Sequence, residues 1–93
     1  MKMSTQVLTI SKIDIKQKDG YQIVLFNDPI NTFDHVVKCL VAICEHTPQQ
    51  ALQCAFIVHS KGKYAVKQGS ELDLVPRCRN LCSEGLTAEI QAC

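Results

Sequence analysis

YQIVLFNDPINTFDHVVKCLVAICEH, residues 21–46, decides how the chain folds. Tyr21 to Phe26 is short, β-branched and aromatic, the composition of a strand packed on at least one face. Asn27-Asp28-Pro29 ends it, because proline has no N–H for a ladder and pushes the residue before it away from helical geometry. Asn31 is a suitable N-cap for a following helix, with the charge of Asp34 near its start. Phe33, Val36, Val37, Leu40, Val41 and Cys44 then recur every three or four residues, the apolar stripe of an amphipathic helix. That leaves Asn27 and Asp28 at a strand-to-helix corner with no evident structural duty.

Downstream, Thr47-Pro48-Gln49-Gln50 reads as an N-cap, a proline at the first helical position and a capping-box glutamine. The second helix is expected from Pro48 to Ser60, with Ala51, Leu52, Ala55, Val58 and His59 on one face and Gly62 as its stop. Lys63 to Lys67 is a short strand with lysines suited to an edge. Ser70 caps a third helical region carrying Leu72, Leu74, Val75, Cys78, Leu81 and Cys82, which Pro76 should kink or divide. Leu86 to Ile90 is a last strand. Upstream, Val7, Leu8, Ile10, Ile13 and Ile15 alternate imperfectly, as an extra edge strand or an extended arm would.

The reading is an α+β fold: a small α/β sandwich, with a three-stranded, mainly antiparallel sheet packed by three helices in the order strand-helix-helix-strand-helix-strand. Residues 1–20 form an N-terminal extension and residues 21–93 the core domain. A length of 93 residues suits one domain. Net charge of +1 argues against a chain held to nucleic acid by bulk electrostatics. The opening MKMSTQVLTI lacks the apolar run of a signal peptide, and no stretch is long enough to span a membrane. A cytoplasmic protein without nucleic-acid or membrane partners is expected.

Six cysteines (Cys39, Cys44, Cys54, Cys78, Cys82 and Cys93) include no C-x-x-C pair. Reduced thiols are expected rather than a disulfide framework. No cysteine or serine sits in an activated-nucleophile motif, so catalysis is not expected. His35 with Cys39, and Cys78 with Cys82, have metal-ligand spacing. However, the first pair falls opposite the apolar stripe and Cys82 on the core face of its helix, so neither a metal nor any other cofactor is expected. His59 is different: one polar ring at the edge of an apolar helical face.

Taken together, Asn27-Asp28, the helix start at Phe33-Asp34-His35-Val36-Val37 and the segment ALQCAFIVHSKGK (residues 51–63) resemble the ClpS adaptor family. The resemblance implies an adaptor that binds proteins bearing a large hydrophobic N-terminal residue (Leu, Phe, Tyr or Trp) and delivers them to a ClpA- or ClpC-type AAA+ unfoldase for ClpP proteolysis. It implies that Asn27 and His59 hydrogen-bond the substrate α-amine, with Asp28 adding negative potential. It also implies a hydrophobic pocket of Leu25, Asn31, Phe33, Val36, Ala55, Val58 and Leu86, and unfoldase docking near Glu71 and Arg77. An α-ammonium is a cation with three donors, and a few fixed acceptors beside an apolar cavity are what holds one. The chain departs from the family pattern at Pro29, where a second acidic residue is usual, and at Phe33 and Ala55, where methionine is common. Those departures leave a second function open: a regulator that docks on the unfoldase without effective N-degron binding.

Overall fold

The computed structural model describes residues 20–93. Three strands and three helices follow in the expected order: β1 (Tyr21–Phe26), α1 (Phe33–Cys44), α2 (Pro48–Lys61), β2 (Lys63–Gly69), α3 (Glu71–Ser83) and β3 (Thr87–Ala92). The sheet order is β2-β1-β3, with β1 antiparallel to both neighbours. The alternation from Val7 to Ile15 lies outside the described residues, as does the expected extension apart from Gly20.

β1 is central because its alternation places Ile23 and Leu25, 0% and 1% exposed, under the helices. Leu40 and Cys44 of α1, Ala51 and Val58 of α2, Leu74, Cys78 and Leu81 of α3, and Leu86 and Ala88 beside them complete one core. The pairing of β1 with β2 shifts between Ile23 and Val24, leaving Val66 as the extra residue of a bulge. The Val66 carbonyl takes a hydrogen bond from His46 Nε2 at 2.7 Å, which ties the α1–α2 junction to the sheet.

Several expectations are corrected. The N-cap of α1 is Thr32, whose hydroxyl accepts from the His35 N–H at 3.1 Å, so Asn31 is free for a tertiary role. The capping box at Thr47 and Gln50 is formed as read, and α2 runs one residue further, to Lys61. β2 extends to Gly69 and β3 begins at Thr87 rather than Leu86. α3 is one continuous helix with Pro76 inside it, not two segments. The hydrogen bond that Pro76 cannot donate belongs to the carbonyl of Leu72, a residue 90% exposed, where water can replace the missing donor.

Four burial assignments also change. Cys39 is in the core at 5% exposure, because α1 is covered by α3 as well as by α2 and so buries a wider arc than its main stripe. Cys82 is exposed: Leu74, Cys78 and Leu81 define the core face of α3, and Cys82 lies about 40° past Cys78, its nearer edge. Leu52, assigned to one face of α2, and Leu72, counted among the apolar residues of α3, are 49% and 90% exposed. All six cysteines are free thiols.

Candidate functional site

The end of β1, the turn after it, the first turn of α1, the inner face of α2 and Leu86 just before β3 line a cavity of about 330 Å³. Leu25, Asn27, Asp28, Asn31, Phe33, Val36, Ala55, Val58, His59 and Leu86 all line it, so the geometry gathers every residue named for the amine and pocket positions. Pro29, read as standing where the family places a second acidic residue, lines it too, as does Phe26, which was not foreseen. Phe26 follows Leu25 and should face away from it, but as the last residue of β1 it stands beside the opening. Its ring also lies 5.9 Å from the Lys63 ammonium.

The polar side of the cavity is built by the turn. The Asp28 carboxylate accepts from the backbone N–H groups of Ile30 (2.9 Å) and Asn31 (2.8 Å) through Oδ1, and from the Asn31 amide (2.8 Å) through Oδ2. The backbone and side-chain hydrogen bonds from Asn31, followed by that from Ile30, hold the Asp28 carboxyl below its ordinary range. Asp28 is thus an anion at neutral pH with a structural duty. Asn31 donates its second amide hydrogen to the Gly85 carbonyl at 2.8 Å, joining the β1–α1 turn to the α3–β3 corner. The two ends of the cavity, Asp28 and Leu86, are therefore linked through one side chain.

Asn27 is held by its backbone: its N–H donates to the Gly62 carbonyl at 2.9 Å. Gly62 sits at φ 93°, a left-handed geometry that glycine adopts at little cost, and its own N–H closes α2 onto the Val58 carbonyl. His59 lies one turn before that stop on the same helix. One glycine thereby fixes the backbone on which Asn27 and His59 both depend. Both side chains are exposed at the cavity, open to a ligand from solvent. Phe33 is 41% exposed at the rim, while Ala55 and Val58 are buried in the wall.

Residues 16–89 match the family described as ATP-dependent Clp protease adaptor protein ClpS. The chain belongs to this family. The structure of Agrobacterium tumefaciens ClpS2 bound to L-phenylalaninamide superposes with a TM-score of 0.76, covering 81% of this chain and 98% of that one at 15% identity, which establishes the ClpS fold. The E3 ubiquitin-protein ligase ubr-1 of Caenorhabditis elegans is 42% identical over 53 residues, 57% of this chain. The aligned stretch spans only 3% of that relative.

The residues named for docking stand on α3. Glu71 is exposed in its first turn. Arg77 turns inward: its Nη1 donates to the Ile43 carbonyl at 2.6 Å, and its other nitrogens face Asp73 and Glu45. The guanidinium thus caps the end of α1, and its hydrogen bonds to the Asp73 carboxylate raise its pKa further. Among the described residues, no helix is long and apolar enough to cross a membrane.

Proposed function

We propose that this chain binds the first residue of proteins with a free N-terminus and a large hydrophobic side chain, and hands them to a degradation machine. The observation that carries the reading is one cavity in which Asn27, Asp28 and His59 stand beside an apolar wall of Leu25, Phe33, Val36, Ala55, Val58 and Leu86. The Asn27 carbonyl oxygen and a neutral His59 nitrogen accept from the α-ammonium, while the Asp28 anion favours the charge. The apolar wall takes the side chain of Leu, Phe, Tyr or Trp. Pro29 supplies no carboxylate, so the amine is held by fewer charged partners.

The receiving machine is a ClpA- or ClpC-type unfoldase acting with ClpP, reached through the exposed surface of α3 around Glu71. The identity to ubr-1 supports a second reading of this step only: the same N-terminal recognition coupled to ubiquitin ligation.

The test is a paired titration. A fluorescent peptide with free N-terminal Phe or Leu should bind, and its acetylated twin should bind at least about a hundredfold more weakly, since acetylation removes donors and adds bulk where acceptors wait. Asn27→Ala with His59→Ala should abolish the difference. Equal binding of the two peptides defeats the proposal. Unfoldase binding that survives that double substitution, with no peptide binding by the original chain, would instead identify the regulator.

A further inference from the structure

Across the cavity from the amine position stands a second polar group. The end of β1 has a neighbour on each side: the Asn27 N–H reaches Gly62, just before β2, and Phe26 pairs with Thr87, the first residue of β3. His59, close to Gly62 on α2, therefore lies on the β2 side. Asn31 lies on the β3 side, because its amide donates to the carbonyl of Gly85, two residues before Thr87. Strands are spaced at about 4.8 Å, so the two sides stand on the order of 10 Å apart. A side chain that leaves an amine held at Asn27 and His59 and packs on Leu86 ends beside Gly85, where Asn31 is anchored.

Both hydrogens of the Asn31 amide are committed. Nδ2 donates to Asp28 Oδ2 and to the Gly85 carbonyl, each at 2.8 Å. An ionised carboxylate and a carbonyl can only accept, so turning the amide over would lose both bonds. Its Oδ1 is thereby fixed in place, and among the described residues no donor reaches it. Gly85 leaves it uncovered: Oδ1 is 3.8 Å from the point where a side chain on that residue would begin. Gly85 has φ 92°, where a residue with a Cβ is strained, so the backbone itself keeps this opening. A fixed acceptor without a donor, beside an apolar wall, discriminates by what the ligand brings to it.

We infer that Asn31 Oδ1 accepts a hydrogen bond from the phenol of an N-terminal tyrosine, so that tyrosine is preferred over phenylalanine and leucine as first residue. This rests on the proposed N-terminal recognition and names the side chain that the same cavity selects. Phenylalanine fills the same apolar space, but it shuts water away from Oδ1 and offers no donor in exchange. Leucine is too short to reach across. The tyrosine hydroxyl exchanges water for one fixed partner, so the preference is modest rather than absolute.

The experiment compares four fluorescent peptides, identical except for a free first residue: Tyr, Phe, Leu or 4-methylphenylalanine, which has the shape of tyrosine without its O–H. With the original chain, Tyr should bind about three- to tenfold more tightly than Phe, and at least about threefold more tightly than 4-methylphenylalanine. In Asn31→Ala the Tyr-to-Phe ratio should fall to within about twofold. Asn31 also braces the turn, so the readout is the ratio between peptides within one protein, because a loosened pocket weakens all of them together. Where Asn31→Ala fails to fold, 4-methylphenylalanine against Tyr on the original chain decides alone. Phe or 4-methylphenylalanine binding as tightly as Tyr, or a Tyr advantage that persists in Asn31→Ala, overturns the inference while leaving N-terminal recognition intact. Failure of all four free peptides to bind is a different result, which defeats the recognition itself and this inference with it.

Discussion

Asp28 shows how one side chain can serve the turn and the site at once. Its carboxylate takes three hydrogen bonds from Ile30 and Asn31, and those bonds hold its pKa below that of an ordinary carboxylate. A carboxyl that loses its proton more readily when folded stabilises the fold above its unfolded pKa, and that contribution fades as pH falls through the lower folded value. Asp28→Asn should therefore cost about 1–2 kcal/mol in urea denaturation at pH 7, since the amide can accept at only one of the two oxygens. The gap between the two proteins should narrow as pH drops below the ordinary carboxylate range, near about 4. A gap of the same size at pH 7 and pH 2.5 would show that Asp28 contributes through shape alone. From sequence, Asp28 and Asn27 stood out as polar groups without a duty. The duty of Asp28 was hidden because it required Asn31, which also looked like a helix cap.

At the scale of elements, the legible parts were those written in neighbouring residues. Thr47-Pro48-Gln49-Gln50 specified the start of α2 because a capping box is a contact between residues three apart. Asn31 was read as the cap of α1, but its side chain is taken by a bond with Gly85, 54 residues away, and Thr32 caps the helix instead. The end of α1 carries a similar surprise. Glu45 caps it at φ 60°, the single non-glycine residue at positive φ among the described residues, and its N–H closes on the Leu40 carbonyl. A left-handed residue with a Cβ is strained, and the Glu45 partnership with Arg77 at 3.6 Å is solvent-exposed and contributes little. Glu45→Gly should thus raise stability by about 0.5–1 kcal/mol, read as a higher midpoint of chemical denaturation. A drop in the midpoint would mean that the Arg77 network, which also caps Ile43, outweighs the backbone strain.

For the whole molecule, alternation in β1 and the helical stripes were enough to place the helices on one face of the sheet. The cavity was not accessible to periodicity, because it joins residues from distant segments. The resemblance supplied the cavity. Cys39 was assigned to the solvent side of α1 because the cover that α3 gives this helix is a contact between distant segments. The cysteines also report on the fold as a unit. Cys82 and Cys93 are exposed, whereas Cys44 is fully buried and burial pushes its thiol up to about 11. At pH 8, an alkylating reagent should modify Cys82 and Cys93 quickly, while Cys44 should react only through opening of the core. Leu40, also 0% exposed, sits one turn from Cys44 on α1. Leu40→Ala should remove about 3 kcal/mol from a core that has little in reserve at this size. If Cys44 is reached through cooperative unfolding, its modification rate should then rise about a hundredfold, following the population of the open form, while Cys82 and Cys93 change little. Peptide-resolved mass spectrometry of timed samples measures all the thiols together. Equal rates for Cys44 and Cys82 in the original chain would refute a closed core. A Cys44 rate that ignores Leu40→Ala would show instead that α1 opens locally, by a route that does not involve the rest of the domain.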